Sequence, residues 1–335
     1  MRKLIFMVIS VMLFSGCQNA NEIDKRNFVM ASGADKNEEG EIVFTVGCAV
    51  PKPDSDTNIK SVTEKKTGND ISVFMPENEE NYGRNIYFGH MKTIVLGRSF
   101  FDGENLRLFA DMWRKRQDIN EEVSVLYADN AQELIEKTKE TDEGNNLDIW
   151  DYYKNNISER EKISLSFLET AKNEAQGEVY FIPKINSKNE ESRIEGGCAV
   201  KNGKILFELP KEFYDGFAIL AQKGGGVVLK NREKVFQIKK TKTSFKFYED
   251  NGLKCNVEIA IKGNENNFLY EFDEKTLMKD AENKVEKCFE FLRENNADII
   301  GVTKNLKKQN SRLYEKYGKE NAFKNIKADI KCRIL

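Results

Sequence analysis

The chemistry most plainly written into this sequence is acylation of a thiol. Ser15 and Gly16 stand immediately before Cys17, and Arg2 and Lys3 precede a run over residues 4–14 that is apolar except for Ser10. A positive tip, a short apolar core and small residues at a cleavage point make a signal peptide. The run is too short for a spanning helix, which needs about 20 apolar residues. With the cysteine in place, the segment reads as a bacterial lipobox. Residues 1–16 are removed and Cys17 carries an S-diacylglyceryl group and an N-acyl chain. Phe14 stands where leucine is usual, with Leu13 one place earlier. Loss of Arg2 and Lys3 takes the formal charge from -2 to -4. The anchor is therefore the acyl chains, of which stable attachment takes two, and not the net charge.

No other residues have the types and spacing of a reactive centre. The chain has one histidine, His90, which excludes multi-histidine metal sites and leaves a histidine-based triad without support. His90 reads as part of a strand with a packing role. Asp35, Asn37, Glu39 and Gly40 imitate the opening of a calcium loop, but the twelfth position is Val46, where a carboxylate is required. A solvated hairpin turn is the better reading. Lys223-Gly224-Gly225-Gly226 lacks the remainder of a phosphate-binding loop and reads as a turn between helix and strand. Neither GxSxG nor HExxH occurs. Cys48, Cys198, Cys255, Cys288 and Cys332 lie in apolar patterns without a CxxC pair, so they read as small buried hydrophobes. The expectation is a protein that is not an enzyme, with no cofactor and no metal.

Balanced charge, with 53 basic against 55 acidic side chains, excludes a binder that depends on many phosphate contacts; no nucleic acid is expected. The elements follow from periodicity. Residues 27–32 and 41–50 read as a hairpin, and 51–70 as a mobile loop. Residues 85–96 and 122–127 read as strands. Helices are expected at 104–116, at 130–139 with Asn130 as cap, at 147–153, and at 158–171 with Ile163, Phe167, Leu168 and Ala171 on one stripe. Strands follow at 178–185 and 193–209, the second broken by Asn202-Gly203, a strong hairpin signal. A short helix is expected at 211–221, then strands at 227–229, 235–238, 243–249 and 254–262. A long helix at 274–296 buries Met278, Ala281, Val285, Cys288 and Leu292. A second helix runs from 300 to 316. The last strand is the clearest: Ile326, Ala328, Ile330, Cys332 and Ile334 alternate with Lys327, Asp329, Lys331 and Arg333.

The fold class is therefore mixed α/β and α+β: a multidomain lipoprotein ectodomain with mixed sheets, a long helix in the C-terminal domain and a terminal strand joined to a sheet. Its expected parts are a signal peptide over 1–16, N-terminal α/β structure over 17–190 and an α+β domain over 191–335.

Several segments, in order, resemble one family. They are residues 22–36 with Gly33-Ala34-Asp35, residues 87–97 with Gly89-His90-Met91-Lys92, the hairpin of residues 196–204, and residues 288–301 with Asp298-Ile299-Ile300-Gly301. Together with Cys17 and the terminal strand they resemble the C-subunit lipoproteins of bacterial spore germination receptors, the GerAC-like family. Gln18-Asn19 stands where the family usually has Trp-Asp, and Tyr314, Tyr317 and Phe323 are what remains of its aromatics before the final strand. The resemblance implies a non-enzymatic, lipid-anchored subunit of a nutrient germinant receptor, needed for the response of spores to nutrients. It implies integral-membrane partners of the A and B types and a place on the outer face of the cell membrane or spore inner membrane. A solute-binding lipoprotein of a transport system is the competing expectation.

Overall fold

A computed structural model describes residues 26–51, 59–74, 85–116, 118–120, 122–136, 166–188, 191–222, 225–231, 234–263, 274–317 and 321–335. Cys17 and its apolar run lie outside these residues. So do the helix expected at 147–153 and the first part of that expected at 158–171.

A first sheet begins with β1 (Arg26–Lys36) and β2 (Ile42–Pro51), the expected hairpin. Its turn is closed by Asn37, whose Oδ1 accepts the Glu41 amide at 2.8 Å. The strand β3 (Ile59–Gly68) then pairs antiparallel with β2, where the sequence reads as a loop. Its residues are mostly Ser, Thr, Lys and Glu, with Val62 packed on the core. Edge strands tolerate such polarity, and lysine there blunts edge-to-edge association.

The single strand expected over residues 85–96 is two. β4 (Asn85–Tyr87) and β5 (Thr93–Gly97) both run parallel to β1, one after the other along the same edge. Between them Met91 N donates to the Phe88 carbonyl at 2.9 Å, and Lys92 N donates to the Met30 carbonyl at 2.9 Å. His90 thus sits in this turn, exposed, and not in a strand. The break falls where β1 itself bulges between Val29 and Ala31.

β6 (Ser124–Ala128) continues the parallel block beside β5, and β7 (Tyr180–Lys188) meets β6 through Tyr127 and Lys184. β8 (Glu191–Lys201) and β9 (Lys204–Leu209) complete the sheet antiparallel, turning at Asn202-Gly203, both with positive φ. The order is β3-β2-β1-β5-β6-β7-β8-β9, with β4 beside β1.

Strand alternation gives this sheet two apolar faces. On one, α1 (Asn105–Arg114) and α3 (Phe167–Gln176) enclose an aromatic core. Phe44, Phe74, Phe109 and Trp113 make edge-to-face or tilted contacts with centroids 4.6–6.0 Å apart. α3 opens at Ser166 through a capping box with Glu169. This shifts the expected stripe: Phe167, Thr170, Ala171 and Glu174 are buried, whereas Leu168 is 41% exposed. On the other face α2 (Ala131–Glu136) lays Ala131, Leu134 and Ile135 over Ala31, Val95 and Leu126.

The second sheet has the order β10-β11-β12-β13. β10 (Val228–Asn231) and β11 (Lys234–Glu249) are antiparallel, as are β11 and β12 (Leu253–Gly263). The two strands expected over 235–249 are one, bent by a bulge between Ile238 and Lys240. β13 (Ile326–Ile334) lies parallel to β12 and forms the sheet edge. α4 (Lys211–Leu220) and the long α5 (Glu274–Glu294) cover the inner face, α5 burying Met278, Ala281, Val285, Cys288 and Leu292 as the spacing requires. The helix expected over 300–316 is broken into α6 (Val302–Gln309) and α7 (Ser311–Lys316) at Asn310, whose side chain caps α7. Leu306 and Leu313 both reach the core. Among the described residues no helix is long and apolar enough to cross a membrane.

Candidate functional site

In α/β sheets the place for chemistry is the edge where parallel strands end. Here β1 ends in Asp35-Lys36, and Arg98-Ser99 and Asp129-Asn130 directly follow β5 and β6. All of these except Arg98 line a groove of about 430 Å³, together with Asn37, Glu38, Glu39, Val43 and Gln132.

Asp35 is buried at its centre. Its carboxylate accepts the Ala131 amide at 3.2 Å and the Gln132 amide at 2.7 Å, satisfying the first turn of α2. Asn130 accepts the Glu133 amide at 2.9 Å, the cap expected from the sequence. Burial pushes the Asp35 carboxyl upward, opposed by these amides and the Ser99 hydroxyl. Two glycines make room. A Cβ on Gly97 would stand 1.6 Å from Asp35 Oδ1, and one on Gly33 would stand 2.7 Å from Ile135 Cδ1. The Gly33-Ala34-Asp35 motif is thus the seat of α2: small residue, spacer, capping acid.

Asp298 works in the same way. It accepts the Val302 amide at 2.8 Å and the Thr303 amide at 2.7 Å, so the Asp298-to-Gly301 motif is the cap of α6.

Beside the groove lies a charge network that links the parallel strands to the β7–β9 hairpins. Lys184 Nζ is 2.8 Å from Asp129 Oδ1 and 3.4 Å from Glu208 Oε2. Tyr127 donates to Glu208 at 3.0 Å, and Arg98 pairs with Glu208. Burial acts to raise the Asp129 carboxyl, but Lys184, Arg98 and Tyr127 outweigh it and hold it below the ordinary value. Lys36 pairs with Asp102, whose carboxylate also accepts the Asn105 amide at 3.1 Å. Burial is likewise outweighed there, and Asp102 is lowered.

Paired acids and bases of this kind fix geometry. Ser99 accepts the Lys36 amide at 2.7 Å and hydrogen-bonds Asp35, so its hydroxyl serves the cap rather than nucleophilic attack. The groove's size suits a small molecule, but binding sites of that size are mostly apolar, and Val43 is the apolar side chain among its lining residues.

The other sequence candidates are dispersed. His90 packs against Phe28 and Tyr87 at 5.4 and 5.6 Å. Asn37 and Glu41 bond each other in the hairpin turn, while Asp35 faces α2. Gly226 donates to the Ile238 carbonyl at 2.7 Å as a turn residue; Lys223 and Gly224 lie outside the described residues. Cys48, Cys198, Cys255 and Cys288 are buried and free; Cys332 is half-buried and free. Burial pushes each of these thiols upward, away from the reactive thiolate. Cys17, the one residue expected to be modified, lies outside the described residues. The sequence missed Arg98, Lys184 and Glu208, which converge only through pairing of distant strands.

Residues 19–186 match the family described as spore germination protein N-terminal domain. Residues 195–334 match the family described as spore germination B3/GerAC like, C-terminal. Among solved structures, one titled "Crystal Structure of the GerBC protein" is similar with a TM-score of 0.57 at 16% identity, covering 92% of this chain and 98% of that one. No curated protein matches the sequence.

Proposed function

This chain belongs to the GerAC-like family of spore germination proteins, and from that premise we propose that it is the lipid-anchored C subunit of a nutrient germinant receptor. The observation that carries the reading is the pair of family matches, which follow one another over residues 19–186 and 195–334. The mixed two-sheet architecture, shared with the GerBC protein, supports it.

In this role the protein makes no bond and breaks none. It works by contact, beside A-type and B-type integral-membrane subunits, on the outer face of the cell membrane or spore inner membrane. Cys17 carries the lipid that holds it there. The paired charges at the strand ends support a scaffold role, since each carboxylate there is held by a helix cap or a cation.

Deletion of the gene tests the reading. Spores should form normally and respond poorly to at least one nutrient, with germination restored by the native gene. A Cys17→Ala copy should take no acyl label, leave the membrane fraction and restore less. Unchanged germination across a broad nutrient panel would overturn the receptor role. Undiminished acyl labelling of Cys17→Ala would overturn the anchor. Tight binding of a small solute by the purified chain, with germination intact, would point to a transport lipoprotein instead.

A further inference from the structure

The outer face of the second sheet collects mostly positive charge. Alternation turns Cys255, Val257 and Ile259 inward and leaves their neighbours outward. The register then aligns the outward residues of three strands. Lys240 stands opposite Lys262, and Lys242 is in line with Ala260 and Arg333. Lys331 follows beside Glu258, then Lys246, Asn256 and Asp329. Tyr248, Lys254 and Lys327 close the face. Eight basic side chains share it with two acidic ones, in a chain whose formal charge is -2. All eight are exposed except Lys254, which is half-buried and paired with Asp250. Lys331 lies 3.7 Å from Asp329, both well exposed.

Folding does not ask for this. Like charges directly opposite on neighbouring strands are destabilising, and Lys240–Lys262 and Lys254–Lys327 are two such pairs. A counter-charged surface relieves them.

We propose that this face lies on an anionic phospholipid surface. Charge complementarity selects a negative occupant. The kind of cation selects lipid over an acidic protein. Seven of the eight are lysine, a compact charge without the bidentate fork that recognises a single carboxylate. Protein partners are gripped by buried aromatic or arginine anchors, and this face offers a flat array with Tyr248 at its end, 37% exposed. A tyrosine with one wet and one apolar end suits a membrane interface. Each lysine near an anionic leaflet is worth roughly a five-fold gain in affinity. The proposal deepens the anchored-subunit reading and rests on it for the presence of a bilayer.

The test uses the full lipidated chain with vesicles of phosphatidylcholine alone or with phosphatidylglycerol added. Flotation with neutral vesicles reports the anchor. Amine labelling of individual lysines reports the face. Expected are several-fold lower labelling of Lys242, Lys246, Lys327 and Lys331 on anionic vesicles, recovery in high salt, and no change at Lys275 on α5. The triple variant Lys242→Glu, Lys246→Glu, Lys331→Glu, all exposed strand positions, should lose the protection of the remaining Lys327 while still floating with neutral vesicles. Equal labelling on both compositions would overturn the proposal, as would protection that appears only when integral-membrane partner proteins are added to neutral vesicles. If the anchor fails instead, the chain stays unbound with neutral vesicles yet floats with anionic ones in a salt-sensitive way.

Discussion

Asp35 and Asp298 show how a family-like motif can be read as local physics. Each acid closes the first turn of a helix whose amides have no partner of their own, Asp35 from the end of β1 and Asp298 from the loop after α5. Removing such a cap costs about 1 kcal/mol, up to about 2 in protein hosts. Asp35→Ala should therefore lower unfolding stability by that amount, and Asp35→Asn, which keeps one acceptor oxygen, by less. Urea unfolding of the three proteins checks this; equal stability of Asp35→Ala and native protein would remove Asp35 from its role. Asn130 was legible as a cap because its partner Glu133 is three residues away. Asp35 was not, because it caps a helix 96 residues later. The aspartate is visible in the sequence, but its helix is brought to it by the pairing of β1 with β5 and β5 with β6.

At the scale of elements, α4 and α5 make a close joint. A Cβ on Gly216 would stand 2.2 Å from the Lys284 carbonyl oxygen and 2.9 Å from Cys288 Cβ. Two effects compete in Gly216→Ala. Helix propensity favours alanine by about 1 kcal/mol. Overpacking a close contact costs about 1–3 kcal/mol. The obstacle is backbone, which cannot swing aside as a side chain would, so overpacking wins. Gly216→Ala should lower the urea midpoint, and Gly216→Val should lower it further. A stabilised alanine variant would show the helices free to part. The long helix α5 and the terminal strand β13 were legible because burial repeats along each with its own period. β3 was not, since an edge strand with one solvated side need carry few apolar residues.

Over the whole molecule, the two sheets share material. Tyr180 and Ile182 of β7 enter the first core, while Phe181 between them packs on Phe217 of α4 at 4.4 Å, in the second. Ile194 of β8 touches both the α2 side of the first sheet and the second core. The β7–β8 hairpin also straddles residue 190, where the sequence suggested a change of domain. Coupling of this kind should make unfolding cooperative. Calorimetry of the full chain is expected to show one transition; two resolved transitions would mean the cores melt separately. Taken alone, the sequence determined the elements with strong local periods, the hairpin at Asn202-Gly203, the burial of Cys48, Cys198, Cys255 and Cys288, and the family. It also set the expectation of a lipid on Cys17. These rest on neighbours in the chain, so they survive without a fold. Tertiary structure alone decided which strands adjoin. That choice converts a nearly balanced charge into one basic sheet face, brings Arg98, Lys184 and Glu208 together, and spends Asp35 on a distant helix. Alternation assigns each side chain a face, but only strand pairing decides which charges stand side by side.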